Sequence, residues 1–148
     1  MEITDALKED HEELKALIAT VNDSDDAEEI KMAFTQFAEL LGKHSKAEEK
    51  VVYDALIGTG DEETEMEGYE GYTEHMLAET LLKKLKEGAD VTGPEWKAEA
   101  KVMQEILEHH IEEEEDEIFE AVENNFEDGE REEMGVEFER LKGEIQPA

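Results

Sequence analysis

Apolar residues recur at intervals of three and four along most of this chain, and strict alternation of apolar and polar residues occurs nowhere. The pattern predicts an all-α protein. A first helix starts near Thr4 or Asp5 and runs to about Val21, with Leu7, His11, Leu14, Ile18 and Val21 on one face, before Asn22 to Asp26 break it. A second helix follows to about Leu56, its inner stripe reading Ile30, Phe34, Phe37, Leu41, His44, Glu48, Val51 and Ala55. Gly58, Gly60 and Asp61 form a stop and restart, and Gly68 and Gly71 weaken the turns that follow. The third helix is therefore secure only from about Tyr72 to Lys86, with Tyr72, His75, Ala78, Glu79, Leu82 and Leu85 on its face.

Thr92-Gly93-Pro94 opens a fourth helix, because proline at the first helical position gives up an amide that has no partner there. That helix runs to about Glu123. A turn from Asn124 to Gly129 leads to a shorter fifth helix, about 129–143, carrying Met134, Phe138 and Leu141. Connections this short predict long helices that alternate up and down as antiparallel neighbours. The expected architecture is one domain over 1–148: an antiparallel up-down four-helix bundle, about 4–123, with a short C-terminal helix.

Two polar residues interrupt the apolar stripe of the second helix, and they repeat. Leu40-Leu41-x2-His44-x3-Glu48-Glu49-x3-Tyr53 aligns with Ile106-Leu107-x2-His110-x3-Glu114-Glu115-x3-Phe119, while His11 precedes His44 by 33 residues and His75 precedes His110 by 35. Each half reads as a helical hairpin that offers one His and then a His/Glu pair. Residues four apart share a helix face, so each pair presents an imidazole and a carboxylate to one point. A bare buried carboxylate costs several kcal/mol, and a cation supplies its missing partner. One such pair alone fits a hydrogen-bonded core histidine or a surface contact. Recurrence on inward-facing stripes, with His75-x3-Glu79 as a third pair, points to a two-metal site instead. His109 lies about 100 degrees from His110 on the helix, beside Glu112 and Glu113, and belongs either to the surface or to the layer behind the ligands. Glu112, Glu113, Glu115 and Glu117 read as a charged outer face, although Glu49 and Glu115 hold equivalent positions in the repeat.

Composition narrows the chemistry. The 148 residues suffice to bury about two-thirds of the unfolded chain's surface. With no cysteine, thiolate metal sites and iron-sulfur clusters are excluded, and any metal is held by nitrogen and oxygen. The 45 acidic against 14 basic residues give a formal charge of -31, which repels nucleic acid and acidic membranes. The charge reads first as a solvated bundle exterior, with adaptation to high salt or attraction of cations as alternatives. A 38% apolar content in helical stripes argues for a packed core rather than disorder. Neither a signal peptide nor a membrane span is visible, so the expected location is cytoplasmic. The two serines, Ser24 and Ser45, form no nucleophilic relay, and the glycines 58 to 71 lack a phosphate-loop context. The sequence marks no dimer surface, so the oligomeric state is unknown at this level.

Asp10-His11-x2-Leu14, His44-x3-Glu48-Glu49, Glu74-His75 and His110-Ile111-x2-Glu114-Glu115 followed by Phe119 together resemble the hemerythrin-like, or HHE cation-binding, family over roughly residues 4 to 123. The resemblance implies two iron ions in an oxo-bridged, non-heme di-iron centre, with His11, His44, His75 and His110 as ligands and Glu48 and Glu114 as bridging carboxylates. Oxygen-carrying hemerythrins place a second histidine one turn after the third-helix histidine, where this chain has Glu79. With Glu79 as a ligand and six-coordinate irons assumed, one position stays free for dioxygen or a small anion. A carboxylate there favours the ferric state. The expected function is a protein that binds or senses dioxygen rather than an enzyme. The alternatives are a redox enzyme acting on peroxide or nitric oxide, iron buffering, and a structural bundle that is metal-free or holds zinc or manganese.

Overall fold

Because every long apolar stripe has the period of a helix, the chain buries its hydrophobic faces by packing helices on one another. The computed structural model describes residues 1–145, and these form a helical bundle with no strand among the described residues. Helix α1 is Ile3–Asp23. Helix α2 spans 27–57 and is built from Ala27–Glu48, a π-helical turn Glu49–Tyr53 and a last turn Asp54–Ile57. Helix α3 is Glu62–Glu87. Helix α4 spans 94–125 and repeats the plan of α2, with Pro94–Glu113, a π-helical turn Glu114–Ile118 and Phe119–Asn125. Helix α5 is Asp128–Glu144. Helix α1 packs against α2, α4 and α5, whereas α3 packs against α4 and the later part of α2.

Local chemistry explains the boundaries. The side chains of Glu2, Asp26 and Asp61 accept from backbone amides at the starts of α1, α2 and α3, satisfying donors that have no partner inside a helix. Pro94 sits in the first turn of α4, as the sequence predicts, and Glu127 and Glu130 form a capping box on α5.

Helix α3 is longer than predicted. It begins at Glu62 and runs through Gly68 and Gly71, which are buried, rather than starting near Tyr72. Both glycines are there for close approach. A Cβ on Gly68 would stand 2.8 Å from the Ile57 side chain, and one on Gly71 would collide with the ring of Tyr53. The propensity cost of glycine is outweighed by what α3 packs against.

The core lies in two apolar clusters. One gathers Leu14, Ile18, Ile30, Phe37, Leu82, Trp96 and Met103, and the other Ile3, Leu7, Val52, Tyr53, Leu56, Val122 and Phe138. Along α1 the order is Leu7, His11, Leu14, so the polar residues of the repeat form a layer between the two clusters. No helix among the described residues is long and apolar enough to cross a membrane.

Candidate metal centre

Four helices each bring their repeat residues to this central layer: Asp10 and His11 from α1, His44 and Glu48 from α2, Glu74 and His75 from α3, His110 and Glu114 from α4. Two groups result, in each of which the four ligand atoms lie within 4.8 Å of one another: His11, His44, Glu48 and Glu114, and Glu48, His75, His110 and Glu114. Glu48 and Glu114 belong to both. One oxygen of Glu114 is 3.0 Å from His11 Nε2 and the other is 3.2 Å from His110 Nε2, so this carboxylate reaches into both groups. Glu48 Oε1 is 3.4 Å from His44 Nε2 and 3.1 Å from His75 Nε2.

Each imidazole is oriented by a second carboxylate. His44 Nδ1 donates to Asp10 at 2.8 Å and His110 Nδ1 to Glu74 at 2.8 Å, each within its own half of the repeat. His11 Nδ1 donates to Glu115 at 2.8 Å and His75 Nδ1 to Glu49 at 2.9 Å, each across to the other half. A carboxylate only accepts, so Nδ1 carries a proton and Nε2 is the atom turned to the centre, the orientation that metal-binding histidines adopt. Glu115 is therefore not merely part of an outer charged face, and Glu49, its equivalent in the repeat, plays the same part. His109 is exposed and pairs with Glu113 at 3.0 Å, as expected.

The donor set fits a metal. His11 Nε2, Glu48 Oε2 and Glu114 Oε1 are buried without a hydrogen-bond partner, and His11 Nε2 and Glu114 Oε1 make no hydrogen bond despite their 3.0 Å separation. Buried polar atoms are rarely left unpaired, and a cation would satisfy all three. Imidazole and carboxylate donors without sulfur suit iron, zinc or manganese. Burial opposes charge on His44, but Glu48 and Asp10 outweigh it and hold the imidazole up at about 9. His75 and His110 are raised against burial by their carboxylate neighbours, chiefly Glu48 for His75 and Glu114 for His110. Burial works to raise Glu114, and its contacts with Glu48 and His110 outweigh that and hold it well below the usual range. Metal binding to such a site displaces protons from the histidines.

The structure does not bring Glu79 to either group. Its side chain is exposed, one turn beyond His75, on a groove of about 290 Å³ between α2 and α3. The centre instead contains a residue that periodicity points away from it. Tyr53 lies nine residues after His44, and at about 100 degrees per residue a regular α-helix would carry it to the opposite face. The π-turn Glu49–Tyr53 takes up an extra residue and brings the ring inward, leaving Ala55 only half-buried. The Tyr53 hydroxyl donates to Glu114 Oε2 at 2.6 Å and lies 3.2 Å from Glu48 Oε1 and from His75 Nε2. Burial, with Glu114 and Glu48 alongside, pushes its phenol well above the usual range. The signal in the sequence was its alignment with Phe119.

The Hemerythrin HHE cation binding domain family matches residues 2–122. This chain belongs to that family. A relative named DNA nickase from Nostoc sp. is 30% identical over 149 residues, covering 99% of this chain. The chain spans 40% of that relative's length. No solved structure was found to match.

Proposed function

We propose that this hemerythrin-like domain, an antiparallel up-down bundle, holds two iron ions and uses them to bind or sense dioxygen. The observation that carries the reading is the pair of four-residue groups that share Glu48 and Glu114 while leaving buried carboxylate oxygens unpartnered. His11, His44, His75 and His110 would hold the ions, with both glutamates between them.

Beside the histidines, a cavity of about 20 Å³ is walled by Leu14, Leu41, Leu107 and Ile111. A water needs at least about 10–15 Å³, so only a water or a diatomic molecule fits. These four side chains make that part of the wall apolar and limit the water that a ligand bound there would meet, while Ser45 and the part-exposed Glu74 complete the wall.

Protein loaded anaerobically with ferrous iron and then exposed to dioxygen tests the proposal. A new absorption band that reverses on degassing supports binding, whereas prompt, irreversible conversion to the ferric state rejects reversible carriage. A second reading, redox chemistry on peroxide or nitric oxide, is favoured by the Tyr53 hydroxyl, a proton donor at the centre itself. Turnover beyond a stoichiometric burst, with an electron donor supplied, would establish it. Iron buffering and a structural zinc or manganese site are separated by elemental analysis, since the proposal requires about two irons per chain. Strand nicking, named for the Nostoc protein, is not extended to this chain, because its charge of -31 repels a phosphodiester backbone.

A further inference from the structure

The second group, formed by Glu48, His75, His110 and Glu114, surrounds one more oxygen. Tyr53 Oη is 2.6 Å from Glu114 Oε2, 3.2 Å from Glu48 Oε1, 3.2 Å from His75 Nε2 and 3.5 Å from His110 Nε2. A transition ion holds nitrogen and oxygen donors at roughly 2.1 Å, so two ligands at right angles stand about 3 Å apart. Those four separations are the spacing of neighbours around a common ion. A phenol that served only as a hydrogen-bond donor would need one acceptor and no close approach to two imidazole nitrogens.

Three further observations show how much of the fold serves this position. The π-turn in α2 rotates Tyr53 inward. Gly71, buried in the middle of α3, leaves room for its ring, since any Cβ there would strike it. Phe119, the matching residue of the other half, follows the matching π-turn and stacks on His11 with ring centroids 6.2 Å apart, yet it carries no hydroxyl. The architecture thus calls for an aromatic ring at both positions, and the oxygen at one of them is additional.

We propose that Tyr53 is a fifth protein ligand, its phenolate oxygen binding the ion held by Glu48, His75, His110 and Glu114. This rests on the reading of the site as a metal centre. It makes the two ions inequivalent, because the other group, with His11 and His44, has Phe119 in place of an oxygen donor. A phenolate is a hard, anionic donor that favours the ferric state, which places at Tyr53 the effect that the sequence assigned to Glu79.

The test uses the full chain, loaded with ferrous iron, oxidised in air and freed of excess metal. Wild type is expected to hold two irons and to show a visible phenolate-to-ferric charge-transfer band, with tyrosinate vibrations enhanced in the resonance Raman spectrum. Tyr53→Phe should retain the iron and lose both signals. Tyr72→Phe should keep them, since the Tyr72 ring lies 5.8 Å from that of Tyr53 but its hydroxyl donates to Asp54. Two irons without tyrosinate vibrations, or with signals that survive in Tyr53→Phe, overturns the proposal and leaves the metal centre standing. Wild type that takes up less than one iron overturns the reading of the centre itself. Should Tyr53→Phe fail to fold, the Raman spectrum of wild type alone decides.

Discussion

The two groups of ligands are built from one repeated pattern, yet their surroundings differ. Around His11 and His44 the site is sealed by aromatic rings. Phe119 stacks on His11, and Phe138 of α5 meets His44 edge-on at 5.5 Å. Lys142, also on α5, binds both oxygens of Asp10 at 2.8 and 2.9 Å, which fixes the carboxylate that orients His44. Beside His75 the corresponding ring is that of Tyr53, with centroids 5.0 Å apart. Glu74, the counterpart of Asp10, is 33% exposed, and the Tyr53 hydroxyl takes the place of an apolar edge. A symmetric donor set has been made asymmetric by one hydroxyl and by one added helix. The coordinating residues would set where ions sit, while the next layer would set how alike the two positions are.

The largest effect should come from what the two groups share. Glu114→Ala removes a carboxylate that touches both, so metal content should fall from about two ions per chain to well under one. His110→Ala removes a ligand of the second group alone, and should leave about one ion. Equal losses in the two variants, read by elemental analysis, would mean that the groups do not share Glu114 as their geometry shows.

Packing around the two aromatic rings gives the next contrast. The α1 residue corresponding to Gly71 is Leu7, which is fully buried. Leu7→Ala leaves a cavity and should cost about 2–5 kcal/mol in urea unfolding of the metal-free protein. Gly71→Ala drives a methyl group into the Tyr53 ring and should cost about 1–3 kcal/mol by overpacking. A neutral Gly71→Ala would show that the α3 to α2 approach relaxes at no cost, and that Tyr53 is not held in place by this fit.

The orienting carboxylates should be unequal too. Asp10→Asn leaves both His44 and Lys142 without the charged acceptor between them, and changes at such positions typically cost 10–100-fold in metal affinity. Burial works against the Asp10 charge, but His44 and Lys142 overcome it and hold the carboxyl below its usual range, so the charge lost is a stabilised one. Glu74→Gln should cost less than about ten-fold, because water reaches Glu74 and can take over its role. Competition with a chelator measures both, and a Glu74 effect equal to that of Asp10 would remove α5 from the explanation.

Much of this centre was legible in the sequence, for a physical reason. His44 to Glu48 and His110 to Glu114 are one helical turn apart, and one turn is the distance over which periodicity is reliable. What depends on a break in that period was hidden. The π-turns displace Tyr53 and Phe119 from where regular helices would carry them, so only the alignment of the two halves marked them. Gly68 and Gly71 read as weak points of α3, and they are the contacts that let it run ten residues further back than expected. Partners that meet across helices, such as His11 with Glu115 or Asp10 with Lys142, follow from the rotation of each helix about its axis, which no local spacing records.

Glu79 supplies the smallest expected effect and the sharpest check on that distinction. By spacing it equals Glu48 and Glu114, four residues after a histidine on a helix. Its helix has no π-turn to redirect it, and its side chain is exposed on the α2–α3 groove. Glu49 has no histidine four residues before it, yet it accepts from His75 at 2.9 Å. Glu79→Gln should therefore leave iron content and the absorption spectrum unchanged within error, whereas Glu49→Gln should weaken metal binding through His75 by roughly the 10–100-fold of other orienting carboxylates. Loss of an ion in Glu79→Gln would return the residue to the coordination sphere. It would also require the Glu79 side chain to swing inward beside His75 on loading.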